Sequence, residues 1–224
     1  MPQRSKFACV CFDCDSTLTR VEGIDELARL RGCAAEIAPL TQQAMDGSLT
    51  LEDVYARRLE RVRPDQEALT WLSDCYVENI VRGARETIDA LRLGGASVHI
   101  LSGGLRGPVL ALATELGIAH DCVHAVEVYL DDSGGYRGFD TASPLTRSDG
   151  KAVVCRQLAA KYKSIALVGD GVSDLAARDG GAYIVGFGGV VARERVAMKA
   201  DYYTDAATLT ATLAALLTGG GQDG

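Results

Sequence analysis

No apolar run in these 224 residues approaches the roughly 20 that a helix needs to cross a bilayer. Phe7 to Phe12 is too short for the apolar core of a secretory signal and ends against Asp13, so neither a spanning segment nor an export signal is expected. Basic residues are outnumbered, 23 against 30 acidic ones, and the net charge of -7 argues against a nucleic-acid or anionic-membrane surface. An anionic substrate stays possible wherever a local site opposes the global sign. Histidine is scarce: His99, His120 and His124 share no ligand spacing, and none is assigned chemistry.

The seven cysteines lack the even count of a disulfide framework and lie mostly in apolar stretches, as expected of reduced thiols in the cytoplasm. Cys11 and Cys14 have the spacing of a redox or metal pair, but no second pair follows to close a zinc site. Cys9 and Cys11, on one face of a predicted strand, read better as small core residues. What is present is ordinary globular composition, 47% hydrophobic and 24% charged. The length suits one large domain or a core with a smaller second unit.

The chain is organised around Phe12-Asp13-Cys14-Asp15-Ser16-Thr17, where two carboxylates stand two residues apart after a run of strand-forming residues. Lys6 to Phe12 reads as a buried parallel strand, so Asp13 leaves from its carboxyl end, where open α/β sheets hold ligands. Like charges this close need a cation between them or a proton on one of them. Hard oxygen donors suit magnesium and point to phosphoryl chemistry; a solvated turn would favour the same residues.

Residues 19–82 read as helical throughout. Ile24, Leu27 and Ala28 begin one apolar stripe; Ile37, Thr41, Ala44 and Met45 continue the spacing beyond Gly32, and Asp46-Gly47 stops it. Thr50 and Asp53 resemble a capping box ahead of a helix whose inner stripe, Leu51, Val54, Tyr55 and Val62, contains Arg58. A guanidinium on a buried face needs an anion, unless it snorkels to the rim. Arg63-Pro64-Asp65 breaks that helix, and Leu69, Leu72, Tyr76 and Ile80 mark another, so the segment reads as a lid inserted between two strands.

From Gly83 helix and strand alternate. Ala84, Thr87, Ile88 and Leu91 give a helix face, Ser97 to Leu101 a buried strand, and Ser102-Gly103-Gly104 a hydroxyl and unhindered amides before a helix with Pro108 near its start. His124 to Leu130 and Tyr136 to Phe139 read as an antiparallel hairpin. Asp149-Gly150-Lys151 opens a helix with Val153, Val154, Leu158 and Ala159 inside, placing a cation in its first turn, where it makes sense facing an anion. Ile165 to Val168 is a strand followed by Gly169-Asp170-Gly171-Val172-Ser173-Asp174, a second acidic pair between glycines. Tyr183 to Phe187 reads as a strand, Val190 to Met198 as a helix, Asp201 to Thr204 as a strand, and Asp205 as the cap of a last helix to about Leu217. Gly219 to Gly224 reads as a frayed tail.

Asp13-x-Asp15-Ser16-Thr17, Ser102-Gly103-Gly104, Lys151 and Gly169-Asp170-Gly171-x-x-Asp174, with Glu22-Gly23-Ile24-Asp25 and Gly186-Phe187-Gly188-Gly189, resemble the haloacid dehalogenase superfamily over nearly the whole chain. Within it, Glu22 and Arg58 resemble the branch that hydrolyses phosphoserine. The resemblance implies an α/β fold: a Rossmann-like parallel core of residues 1–18 and 83–224, with a small helical cap of residues 19–82 inserted after the first strand. It implies Asp13 as nucleophile, Asp15 as general acid, and Ser102, Gly103 and Lys151 on the phosphoryl oxygens. Magnesium would be held by Asp13, the main-chain carbonyl of Asp15 and Asp170, with Asp174 behind them. Glu22, Arg58, Met45 and Ser173 would contact the substrate, a small phosphomonoester carrying ammonium and carboxylate.

Leu51 stands where relatives often have Phe, Asp46 where Gly is common and Ser173 where Asn or Thr is usual, so phosphohomoserine, phosphocholine or a sugar-like phosphate stays in view. A receiver-type signalling module also gathers acids, a hydroxyl and a lysine at strand ends, but it separates its acidic pair from its phospho-acceptor. No nucleic-acid or membrane partner is expected, and a monomer or homodimer is.

Overall fold

The strand that carries the first acidic pair, β1 (Cys9–Phe12), is buried along its whole length in the middle of a six-stranded sheet. The computed structural model describes residues 3–46 and 48–218, the side chains of Met45 and Asp46 excepted. Beyond β1 the chain forms α1 (Gly23–Leu30), α2 (Ala34–Asp46), α3 (Leu51–Val62), α4 (Gln66–Glu78) and α5 (Ala84–Leu93). Then come β2 (Ser97–Leu105), α6 (Arg106–Glu115), β3 (Val123–Val126), β4 (Val128–Leu130), β5 (Tyr136–Phe139) and α7 (Gly150–Ala159). The last third holds β6 (Ile165–Gly169), α8 (Val172–Ala176), β7 (Ala182–Phe187), α9 (Glu194–Lys199), β8 (Tyr202–Thr204) and α10 (Leu213–Leu216).

The main sheet runs β3-β2-β1-β6-β7-β8, parallel at every pairing. Helices cover such a sheet on both faces, which is why Val10 and Phe12 of β1, and Ile165 to Val168 of β6, are apolar and buried without alternation. Each fully buried side chain of that size contributes about 2 kcal/mol. The chain moves outward from β1 through β2 to β3, then returns to β6 on the other flank. Ligands of open parallel sheets bind outside the carboxyl ends where the order reverses, and here that place is the end of β1.

Between β1 and α5 the described residues hold α1 to α4 and no named strand. The segment enters and leaves side by side: Thr19 bridges Ile80, Arg20 N donates to Asn79 O at 2.9 Å and Val81 N to Leu18 O at 2.9 Å. Helix α3 starts on the expected capping box of Thr50 and Asp53 and ends at Arg63, whose left-handed φ of 43° turns the chain toward Pro64.

Five expectations are corrected. His124 to Leu130 is not one hairpin strand: Val123 and Val126 are buried in the parallel sheet as β3, exposed Glu127 ends it, and only β4 pairs with β5. The strand begun at Ser97 continues through Ser102-Gly103-Gly104 to Leu105, with irregular register against β3 between Leu101 and Leu105. The helix expected from Val190 starts only at Glu194, because Gly188 and Gly189 pass so tightly under Tyr203 and Ala206 that a Cβ would lie 2.0 and 2.3 Å from them. Asp205 caps nothing; a 3-10 turn over Leu209–Thr212 leads into the short α10, and Leu217 then bridges Ser5. On α7 the buried positions are Gly150, Lys151, Ala152, Val154, Cys155 and Leu158, while Val153 is half-buried and Ala159 exposed. The expected tail at 219–224 lies outside the described residues.

Candidate active site

Asp13 extends the β1–β6 ladder by one bond, its N donating to Val168 O at 2.9 Å, so its carboxylate stands where the sheet ends. Oδ1 accepts from Cys14 N at 2.8 Å and from Lys151 Nζ at 2.7 Å, and Oδ2 has no such tie. The chain then turns sharply, with the amides of Thr17, Leu18 and Thr19 all donating to Cys14 O. Ser16 takes a left-handed φ of 53°, which costs a non-glycine residue about 1 kcal/mol. Its hydroxyl, in turn, donates to Glu22 Oε1 at 2.7 Å.

Lys151, only 5% exposed in the first turn of α7, bridges Asp13 and Asp174, with its Nζ 2.5 Å from Asp174 Oδ1. Burial works against the ammonium, but Asp13 and Asp174 outweigh it and hold the lysine above its ordinary pKa. Asp174 Oδ2 accepts from Gly171 N at 2.8 Å, and this approach requires Gly169: a Cβ there would lie 2.2 Å from the Asp174 Cγ. Asp170 accepts from Arg193 Nε at 3.0 Å and Nη2 at 2.9 Å, and from Thr17 Oγ1 at 3.3 Å.

Asp13, Asp170 and Asp174 therefore meet, each offering an oxygen within 4.8 Å of the others. Burial, then Asp174, pushes Asp13 well above the usual carboxylate range, with Lys151 pulling back. Burial also raises Asp170, to about 7, against the pull of Arg193. Lys151 and Arg193 pair directly with this group, yet five carboxylates, Asp13, Asp15, Glu22, Asp170 and Asp174, gather there. Hard oxygen donors, an excess of charge and close spacing together fit a divalent cation.

A cavity of about 320 Å³ opens over this cluster, lined among others by Asp13, Asp15, Glu22, Arg58, Ser102 and Ser173. Gly103 and Lys151 also line it. Ser102, 1% exposed, accepts from Gly104 N at 2.9 Å, and Gly103 O accepts from Tyr55 Oη at 2.8 Å. The Asp15 carboxylate turns away from the acidic cluster toward the helices: Oδ1 accepts from Tyr76 Oη at 2.6 Å and Oδ2 from Gly23 N at 2.9 Å. Burial raises its pKa, and those two donors work in the opposite direction.

Arg58 is buried, at 6% exposure, and among the described residues it forms no ion pair. Its Nη1 donates to Thr41 Oγ1 at 3.3 Å, and its Nε has no partner. The Thr41 hydroxyl in turn donates to Asp25 Oδ1 at 2.8 Å. A buried guanidinium with an orphaned N–H is costly unless an anion arrives. Burial, then Asp15 and Asp170, pushes the Glu22 carboxyl well up, with Arg193 only 3.6 Å away. The Met45 side chain lies outside the described residues.

Two residues at this site carry no functional role in the sequence reading. Arg193 was hidden inside the helix expected from Val190, although a basic residue just after the Gly186–Gly189 run was a usable signal. Tyr76 looked like one more apolar position on α4, and its hydroxyl gave no periodic sign of where it would point.

A model of the haloacid dehalogenase-like hydrolase family matches residues 7–178. Over 196 residues the chain is 36% identical to the phosphoserine phosphatase of Mus musculus, covering 87% of each. Over 197 residues it is 38% identical to the chloroplastic phosphoserine phosphatase of Arabidopsis thaliana, covering 86% of this chain and 67% of that one. A solved phosphoserine phosphatase with bound substrate superimposes with a TM-score of 0.80 at 26% identity, over 94% of this chain and 98% of the other. With the acidic cluster, the lysine and strands β1, β2, β3 and β6 of the parallel sheet in the matched region, the chain belongs to the haloacid dehalogenase-like hydrolase family.

Proposed function

We propose that this enzyme is a magnesium-dependent phosphatase that hydrolyses O-phosphoserine to serine and phosphate through an aspartyl-phosphate. The observation that carries the reading is one cavity holding the Asp13 carboxylate beside Lys151 and Ser102, with the orphaned Arg58 Nε in its helical wall. Asp13 Oδ2 bonds to phosphorus as the bond from phosphorus to the seryl oxygen breaks, and the departing oxygen takes a proton from Asp15. Water then attacks phosphorus, gives its proton to Asp15, and phosphate leaves as Asp13 is regenerated.

Lys151, Ser102 and the Gly103 amide face the phosphoryl oxygens, as positioned donors do in phosphoryl transfer. Asp13, Asp170 and the Asp15 main-chain carbonyl would hold magnesium, with Asp174 behind them; bound there, it would offset the charge of phosphate and carboxylates. Arg58 pairs with the substrate carboxylate and Glu22 with its ammonium, with Met45 and Ser173 contacting the remainder.

We read residues 19–82 as the lid and 1–18 with 83–224 as the catalytic core, because the segment enters and leaves side by side at Thr19 and Ile80. A reducing compartment, the cytoplasm, suits seven unpaired thiols. No helix among the described residues is long and apolar enough to cross a membrane.

The test incubates purified protein and magnesium with phosphoserine, phosphohomoserine, phosphocholine and a neutral phosphate ester, measuring released phosphate. Phosphoserine should lead by about tenfold or more in kcat/KM. A flat profile would overturn the assignment of Glu22 and Arg58, and a stable phospho-protein that releases no phosphate would favour a signalling module.

A further inference from the structure

We propose that Tyr76 is a positioning residue for the proton donor: its hydroxyl, carried by α4, holds Asp15 in the orientation from which the leaving oxygen is protonated. The inference rests on the phosphatase reading above. Tyr76 is fully buried, four residues after the equally buried Leu72 and eight after Ala68, on one apolar face of α4. Packing alone would be served there by Phe or Leu. A buried tyrosine hydroxyl is unfavourable without an acceptor, and the acceptor here is the carboxylate of Asp15, at 2.6 Å.

The space for that hydroxyl is built by two glycines. A Cβ at Gly23 would lie 2.2 Å from Tyr76 Oη, and one at Gly104 would lie 3.4 Å from it. Gly23 also supplies the second tie, its N donating to Asp15 Oδ2 at 2.9 Å. Both side-chain oxygens of Asp15 are therefore tied to the helical segment, and the buried Cys14 thiol just past β1 is a further hydrogen-bond partner of the carboxylate. The sheet fixes where Asp15 stands in the chain, and Tyr76 with Gly23 fixes where its carboxyl faces. A carboxyl offers about four lone-pair directions, so with these donors in place one remains on which the transferable proton can sit.

A departing seryl oxygen needs the proton that Asp15 supplies; the phenolate released from p-nitrophenyl phosphate does not. The experiment compares kcat/KM for phosphoserine and for p-nitrophenyl phosphate, with magnesium, in the unaltered enzyme, Tyr76→Phe and Tyr76→Leu. The proposal expects Tyr76→Phe to lose about 10- to 100-fold on phosphoserine and less than about threefold on the aryl ester. Equal losses on both esters, or no loss on either, would overturn it.

Thr19→Val separates this from mere loosening of α4. Thr19 Oγ1 bonds the main-chain oxygens of Tyr76 and Asn79, each at 3.3 Å, so its loss weakens the same helix without touching Asp15. Its melting temperature should fall with the ratio of the two esters unchanged; a ratio shifted as far as in Tyr76→Phe overturns the proposal. If the unaltered enzyme prefers another alkyl phosphate, the substrate assignment fails, and the same contrast, run with that ester, still decides the role of Tyr76. An unaltered enzyme without phosphatase activity overturns both.

Discussion

The sheet end and the helical wall treat their charges in opposite ways. At the sheet end, Lys151 bridges Asp13 and Asp174, while Arg193 grips Asp170 and approaches Glu22, so each cation is shared by two carboxylates. Across the cavity, Arg58 has one 3.3 Å bond to a hydroxyl and an orphaned Nε. An over-determined cluster keeps its geometry whatever ester arrives, whereas a guanidinium without an anion gains most from a ligand that brings one. The difference teaches that chemistry and choice of substrate can reside in separate halves of one cavity, which is the division the proposed function requires.

The strongest way to break that division is Asp13→Asn. The amide oxygen can still accept from Cys14 N, so the fold should persist while kcat falls by roughly 10⁴-fold on every ester tested, as steady-state assays would show. Loss on phosphoserine alone would mean the sheet end also selects. Lys151→Met attacks the same half through stability: it leaves Asp13 and Asp174 buried without their cation, and denaturant unfolding at pH 8 should show a loss of about 3 kcal/mol. Arg58→Ala tests the other half. It should cost about 100-fold in kcat/KM on phosphoserine and leave a neutral phosphate ester within about threefold.

Proton linkage sharpens the comparison further. Asp170, raised to about 7, keeps a proton that the unfolded chain has already lost near pH 4. Between those values the folded state binds more protons, so without metal this group makes stability fall as pH rises, the fall ending above pH 7. Magnesium held there would compete with that proton. Its stabilising shift in melting temperature should be larger at pH 8 than at pH 6 and should shrink in Asp170→Asn. The smallest effect belongs to the helical segment: Thr50→Ala removes the cap of α3 and should cost about 1 kcal/mol in unfolding while the preference among esters holds.

Much of this was legible in the chain because it rests on local rules. The strand at Phe12 followed by Asp13, the capping box at Thr50 and Asp53, and the buried Arg58 all follow from periodicity over a few residues. Assigning Val123 and Val126 to the parallel sheet needed knowledge of β2, which neither apolar content nor alternation supplies. Arg193 was obscured because tight packing of Gly188 and Gly189 against Tyr203 and Ala206 postpones the next helix, a constraint from the neighbouring edge strand β8 and the turn after it. Tyr76 reached Asp15 across 61 residues, a distance at which no spacing rule speaks.

The most direct measurement is rapid acid quench of unaltered enzyme and Arg58→Ala mixed with magnesium and either phosphoserine or p-nitrophenyl phosphate, followed by mass spectrometry of the peptide containing Asp13. The account predicts a phosphoryl group on Asp13 from both esters in the unaltered enzyme, and from the aryl ester but hardly from phosphoserine in Arg58→Ala. A phosphoryl group on any other residue, or equal labelling of Arg58→Ala by the two esters, would contradict it.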